Sequence, residues 1–238
     1  MSDILRLSKF SKPRRIVTGG KGLWALSIVG VRRVFKDLPS LVNGLAGLFD
    51  VMYWNFGFKD AVEICGEFIG KFKKPLLSIS GMTRRSWFTR LKYSFILNYR
   101  MSTYEWKDVM NFIDMVKNRR NSKTSVEVFD LVDERTRVFN HVEDHVKLML
   151  SIALPGFLPP FEGRYVSSSY YSFIPVENLM EGDLVIHHFP RFDLRKLDKI
   201  ADVIAHVADL RAVHYAKLVL KVNKIESLDF REFTRKLL

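Results

Sequence analysis

The chain has 238 residues, of which 47% are hydrophobic and 13% aromatic, and its formal net charge is +12. This length and apolar content predict a globular protein with one sizeable core and exclude a disordered chain. The excess of positive charge favours a polyanionic partner, either nucleic acid or an anionic membrane face, without choosing between them. The single cysteine, Cys65, excludes an internal disulfide and is typical of a protein in a reducing compartment.

The N-terminal residues lack the apolar run and small-residue cleavage site of a secretory signal peptide. No charge-free stretch is long enough to span a bilayer. We therefore expect a cytoplasmic protein, with peripheral attachment to a membrane as an option. A single domain is expected over residues 1–238, in which residues 1–13 form a flexible basic N-terminus and residues 193–238 a C-terminal helical segment.

In the first part of the chain, short apolar strands that end in glycine turns alternate with apolar helices. Strands are predicted within 14–20, 40–44 and 75–81, and helices over 23–35, 46–54 and 59–72. Further along, the spacing of apolar residues predicts helices over 104–116, 144–152 and 193–221. A hairpin is predicted from 126–132 and 137–140, and a strand over 183–188. This mixture predicts a single α/β domain.

A proline- and glycine-rich run follows the helix predicted at 144–152. Its distinctive residues are Ser151, Pro155, Gly156, Pro159, Pro160, Gly163, Tyr165, Val166, Pro175 and Val176. In its spacing this run resembles the segment of patatin-like acyl hydrolases that carries the catalytic aspartate. In that family an Asp-Gly-Gly sequence follows the short strand, whereas here Ser167, Ser168 and Ser169 stand in its place.

A second part of the resemblance is the glycine loop near the N-terminus. Gly19, Gly20, Lys21 and Gly22 lie between a predicted strand and a predicted helix, where patatin-like enzymes hold the oxyanion with a glycine-rich turn. Backbone amides at such a helix N-terminus favour an anion. Because short glycine-lysine runs also occur in ordinary turns, this loop alone leaves a purely structural interpretation open.

The third part is the nucleophile elbow, where the family has a G-x-S-x-G turn between a strand and a helix. This chain has Asn43, Gly44, Leu45, Ala46 and Gly47 there. Leucine has no hydroxyl with which to form an acyl-enzyme. The residue at the aspartate position, Ser167, has a pKa far too high for it to act as a general base at neutral pH.

The resemblance implies a patatin-like three-layer α/β/α sandwich with a central mixed sheet, and the loss of both members of the catalytic dyad. We therefore expect no catalytic residues, no cofactor and no metal. His141 and His145 are four residues apart but lack the glutamate of an H-E-x-x-H motif, so we interpret them as solvated or capping residues.

Basic and aromatic residues are interleaved between Phe68 and Tyr104, where the chain has no acidic residue. This pattern suits an anionic membrane surface, single-stranded nucleic acid, or a solvated basic helix face. The resemblance to lipid hydrolases favours lipid over nucleic acid. The residues predicted to contact an anionic surface are Lys71, Lys73, Lys74, Arg84, Arg85, Arg90 and Lys92.

The leading functional hypothesis is a catalytically inactive patatin-like protein that binds a lipid surface or a protein partner. One alternative is an active lipid acyl hydrolase with a relocated nucleophile. Ser27 and Ser40 are weak candidates because neither lies on a G-x-S-x-G turn, and Ser151 is a weak candidate because the resemblance implies a structural role for it. A second alternative is a basic protein associated with nucleic acid. The sequence does not predict the oligomeric state.

Overall fold

The computed structural model describes residues 13–20, 25, 27–76, 102–189, 200–223, 225 and 227–231, with side chains except at 73–76, 200–206 and 208. Within these residues seven strands form one mixed sheet. The strands are β1 (Arg15–Thr18), β2 (Ser40–Val42), β3 (Thr124–Asp130), β4 (Arg135–Phe139), β5 (Tyr165–Ser167), β6 (Asp183–His187) and β7 (Ser227–Asp229).

The strand order is β4-β3-β2-β1-β6-β7, and β5 pairs with β3. The four central pairings, from β3 to β7, are parallel, whereas β4 and β5 each run antiparallel to β3. Strand β2 ends at Val42, opposite Val126, and β5 pairs with β3 from Val128 onward. Beyond the end of β2, the same edge of β3 is free, and β5 pairs with it there. The residues that follow β5 therefore lie next to the end of β2.

The described helices are α1 (Ser27–Val34), α2 (Leu45–Leu76), α3 (Met110–Asp114), α4 (Asp144–Ile152) and α5 (Ile200–Val222). Single 3₁₀ turns cover Trp106–Asp108 and Ser168–Tyr170. Helix α2 is bent at Gly57, whose φ of 80° and ψ of 178° interrupt the helical geometry.

Helices cover both faces of the sheet. Val42 and Val126 share a buried core with α2 and α4 on one face, where Ile16 packs near α1. On the other face, Val17 and Val185 pack against the buried side of α5. Alternate residues of each strand point to opposite faces, so one strand supplies both cores. The structure confirms the predicted α/β sandwich with a central mixed sheet.

A buried ion pair fixes the start of α2 against the sheet. The Nε of Arg32 in α1 donates to Oδ1 of Asp50 in α2 at 2.6 Å, and neither side chain has any exposed surface. The other carboxylate oxygen accepts hydrogen bonds from Ser40 in β2 and from Thr124 in β3. Because every member is hydrogen-bonded, the buried charges are compensated, and the first turns of α2 are held beside β2.

Most of the predicted elements are present, including β1, β2, the β3–β4 hairpin, α4 and β6. The helices predicted at 46–54 and 59–72 form one bent helix, α2. The prediction of a strand at 75–81 is wrong at its start, because Pro75 and Leu76 continue α2; residues 77–81 lie outside the described residues. The buried rings of Phe68 and Phe72 pack on Phe112 and Phe157, which keeps this part of the chain helical.

Two other predictions need correction. The helix predicted over 104–116 is reduced to one 3₁₀ turn and the five residues of α3. The C-terminal segment predicted to be helical contains α5 and also the short strand β7, which adds to the sheet beside β6. Residues 1–12 of the predicted N-terminal extension lie outside the described residues.

Candidate functional site

The structure brings together the three motif segments that are far apart in the sequence. Gly19 and Gly20 follow β1, Asn43 and Gly44 follow β2, and the serines follow β5. Strands β1 and β2 are parallel neighbours, so their carboxyl ends lie at the same edge of the sheet. The antiparallel pairing of β5 with β3 delivers the serines to that edge from the opposite direction.

The side chain of Asn43 links all three segments. Its Oδ1 accepts a hydrogen bond from the backbone N–H of Gly20 at 3.2 Å. Its Nδ2 donates to Oγ of Ser168 and to the main-chain oxygen of Ser172, both at 3.1 Å. Asn43 is completely buried. An asparagine at the first elbow position therefore has a structural purpose here, which is to join the glycine loop to the serine segment.

Gly44 and Gly47 are required by close approaches around the elbow. Gly44 has a φ of +61°, and a Cβ built on it would lie 2.8 Å from the main-chain oxygen of Gly20. A Cβ on Gly47 would lie 2.0 Å from Oγ of Ser151 in α4. The close packing at Gly47 thus occurs mainly against a helix. Ser151 itself donates a hydrogen bond to the main-chain oxygen of Lys147 at 2.8 Å, which supports its interpretation as a structural residue.

Leu45, at the predicted nucleophile position, is the first residue of α2 and has no exposed surface. Its side chain belongs to the apolar core that α2 shares with β2 and β3. At the neighbouring position, Ala46 is likewise fully buried in this core. The apex of the turn is therefore filled with hydrocarbon.

The three consecutive serines are almost entirely buried, with 1% of Ser167 and none of Ser168 or Ser169 exposed. The hydroxyl oxygens of Ser167 and Ser169 are 3.0 Å apart. A Cβ built on Gly44 would lie 3.3 Å from Cβ of Ser169, so Ser169 packs directly against the elbow. Ser167, which was assigned to the aspartate position from its spacing, is one of three hydroxyls at this point.

The sequence did not identify Glu127 as a member of this site. The hydroxyl of Ser168 donates to Oε1 of Glu127 at 2.9 Å, and Nδ2 of Asn178 donates to Oε2 at 2.7 Å. Glu127 has no exposed surface, and burial raises the pKa of its carboxyl to about 7. Because apolar and charged residues alternate along β3, the sequence places Glu127 on a solvated face of the strand. In the structure, residues 168–178 cover it.

Of the remaining predicted residues, the structure describes three, which all lie in the second part of α2. Lys71 lies on the exposed side of α2, where its Nζ is 5.2 Å from the ring centroid of Phe72. Lys73 and Lys74 are in the last turns of α2, and their side chains are not described. The other predicted positions, Lys21, Gly22, Arg84, Arg85, Arg90 and Lys92, lie outside the described residues.

The described residues contain no cluster of three histidine, cysteine, aspartate or glutamate side chains suited to a metal ion. His145 lies beside Glu143, with 3.1 Å between its Nδ1 and Oε2 of the carboxylate. Cys65 is buried, and burial raises the pKa of its thiol to about 12.

In the part of the chain that the structure describes, no helix has both the length and the apolarity needed to cross a bilayer.

Comparisons with known proteins add no family assignment. A scan against protein-family models found no match to the chain, and a search of the curated proteins found no significant match. The resemblance to patatin-like hydrolases accordingly rests on the sequence motifs alone.

Proposed function

We propose that this chain is a patatin-like scaffold without hydrolase activity that acts as a binding module for a lipid surface or a protein partner. The observation that carries the proposal is Leu45, a completely buried core residue at the apex of the turn where the family has its nucleophile. A hydrocarbon side chain cannot attack an ester carbonyl.

The surroundings of Leu45 support the same conclusion. Asn43 and Ser168, which flank the elbow, are fully buried and hydrogen-bonded to each other. Their polar atoms are engaged in holding the segments together, so they are unsuited to holding a substrate. The hydroxyl of Ser167 faces that of Ser169 and has no carboxylate partner among the described residues.

An active hydrolase with a relocated nucleophile is the second candidate, and the Ser168–Glu127 pair is the observation that favours it. A hydroxyl 2.9 Å from a carboxylate whose pKa is about 7 has the contact expected of a nucleophile and its base. However, the same hydroxyl lies 3.1 Å from the main-chain oxygen of Glu127, and neither side chain is exposed. An ester would have to displace the covering segment to reach it.

Labelling with a fluorophosphonate probe, which reacts with activated serines, separates these two functions. We expect no labelling of the folded wild-type protein. A Ser168→Ala variant is the matched control, because it removes the hydroxyl that donates to Glu127. Stoichiometric labelling that disappears in Ser168→Ala would overturn the inactive scaffold and establish the relocated hydrolase.

Binding experiments test the choice of partner. Sedimentation with anionic and neutral vesicles measures association with lipid, and a salt titration of DNA binding measures association with nucleic acid. We expect vesicle association to exceed DNA binding at physiological salt. Tight DNA binding without vesicle association would support the nucleic-acid alternative instead.

A further inference from the structure

A cavity of about 350 Å³ lies between α5 and the edge of the sheet, at the carboxyl end of β6. Its lining combines an apolar floor with cationic residues from one helix. The lining residues are His187, Phe189, Lys217, Leu220, Lys221, Ile225 and Ser227. Phe189 and Leu220 are each 6% exposed, whereas Lys217, Lys221 and Ser227 are exposed. The cavity therefore offers hydrocarbon at its base and ammonium groups at its rim.

The two lysines and the Nδ1 atom of His187 have no polar partner among the described residues, and Nζ of Lys217 lies 5.5 Å from the ring centroid of Phe189. Among the described residues, neither Lys217 nor Lys221 forms an ion pair, and Nδ1 of His187 is buried without a hydrogen bond. Burial lowers the pKa of His187 to about 4, so the imidazole is neutral at neutral pH. A neutral imidazole and two ammonium groups together suit an oxygen-rich anion such as a phosphate ester.

The outward face of α5 continues from this rim as an exposed amphipathic surface. Val207, Leu210, Leu218 and Val222 are 42–69% exposed and recur at spacings that keep them on one side of the helix. Arg211 and His214 are exposed on the same side. From Leu210 to Ile225 the chain has no acidic residue, so every charged side chain in this span is cationic.

We infer that the outward face of α5 and the adjoining cavity form a docking site for an anionic phospholipid membrane. The exposed apolar side chains enter the interface, while Lys217 and Lys221 bind a lipid phosphate at the mouth of the cavity. The charge of the surface is complementary to anionic headgroups and is repelled by cationic ones. This inference extends the proposed function by naming its partner and the surface used, which differs from the basic segment at 71–92.

The central experiment compares two double variants in sedimentation with phosphatidylcholine vesicles that contain or lack phosphatidylglycerol. Lys217→Gln with Lys221→Gln removes the two rim charges. Lys36→Gln with Lys59→Gln is the matched control, because both lysines are exposed and lie on the opposite layer. Each lysine near an anionic surface contributes about fivefold to partitioning, so the first variant should bind about 30-fold more weakly. The control should bind within about twofold of the wild type.

A second pair of variants tests insertion of the apolar residues. Leu218→Ser with Val222→Ser should weaken binding to the anionic vesicles about tenfold, because partitioning depends on buried apolar area. Val62→Ser with Val132→Ser, which changes exposed apolar residues elsewhere, should leave binding unchanged. Circular dichroism of all four variants should match the wild type, since every changed residue is exposed.

The outcomes separate this inference from the proposed function. A loss confined to the α5 variants supports the inference, whatever the fluorophosphonate probe reports about hydrolysis. Equal binding to neutral and anionic vesicles, or equal effects of the α5 and control variants, overturns it. If binding persists in the α5 variants but is lost in Lys71→Gln, the membrane role survives while the α5 site is refuted.

Discussion

The elbow region and the outer face of α5 differ in the burial and the hydrogen bonding of their polar side chains. At the elbow, the side chains of Asn43, Ser168 and Glu127 are fully buried, and each is hydrogen-bonded. On α5, Lys217 and Lys221 are exposed and border an open cavity. The region that carries the enzyme-like motif is thus packed as core, whereas the region without any motif has the features of a binding surface.

This difference teaches that a motif and an available site are separate properties. The turn at Gly44 requires glycine because its φ is positive and because the main-chain oxygen of Gly20 approaches closely. The space above the turn is filled by Leu45 and the serine segment. A backbone shape that resembles an enzyme motif can therefore reflect the needs of packing alone.

The largest expected effect is on the free energy of unfolding, and it should differ between two leucines, one from each region. Leu45→Ala should lower the free energy of unfolding by about 4 kcal/mol, because a fully buried side chain is replaced by a void. Leu218→Ala, at an exposed position on α5, should change it by less than about 0.5 kcal/mol. Urea denaturation of both variants measures the difference. Similar values for the two would show that the elbow is not packed as core.

A second contrast concerns two glycines. Gly44→Ala should destabilise the protein by about 3 kcal/mol, because alanine disfavours the φ of +61° and its Cβ meets Gly20. Gly66→Ala is the control, since Gly66 lies within α2 with no atom within 4 Å of a built Cβ. Alanine there should stabilise the helix by about 0.5–1 kcal/mol. Thermal denaturation should move the two midpoints in opposite directions; a shared direction would contradict the tight turn.

The buried carboxyl of Glu127 predicts a dependence of stability on pH. Its pKa is about 7 in the folded protein, above its usual value, so the folded state binds the proton more tightly than the unfolded state. The resulting stabilisation is fully present below the unfolded pKa and is lost as pH rises through about 7. The change should amount to about 3 kcal/mol.

Glu127→Gln is the variant that isolates this contribution, because an amide does not titrate. Urea denaturation between acidic and mildly alkaline pH should show a smaller decline in stability for the variant than for the wild type. Parallel pH profiles for the two proteins would refute a raised pKa at this residue.

The smallest expected effect concerns the cationic rim of the cavity. Lys217→Gln should alter the free energy of unfolding by less than about 0.5 kcal/mol, because the side chain is exposed and makes no ion pair within the described residues. Chemical denaturation checks this value. A loss of several kcal/mol would assign the lysine to the fold and remove it from the binding surface.

The sequence predicted local elements better than it predicted their assembly. The hairpin, the helix at Asp144–Ile152 and the strand before the elbow depend on short-range patterns of apolar residues, and all are present. Strand β7 was missed, and β5 was expected only through the resemblance, because each is three residues long, with little periodicity, and is stabilised by pairing with a distant strand. Pairing with a distant strand produces almost no recognisable pattern in the local sequence.

In the candidate site, too, the features that depend on neighbouring residues were predicted and those that depend on distant residues were not. The glycines of the elbow were identifiable, because the whole motif lies within five consecutive residues of the sequence. Glu127 was not, because its burial depends on residues 168–178, which lie more than forty positions away in the chain. The cavity beside α5 was also missed, since it forms where β6, α5 and the start of β7 meet.

The bend at Gly57 divides α2 into two parts with different attachments. The part before the bend is fixed to the sheet through Asp50, and the part after it contributes Phe68 and Phe72 to a cluster of aromatic rings. In a continuous helix, inserting one residue rotates everything beyond it by about 100° relative to what precedes it. Because the helical hydrogen-bond pattern is interrupted at Gly57, length changes in the second part leave the register of the first part intact. A change of chain length around residue 70 therefore leaves the turn at Gly44 in place.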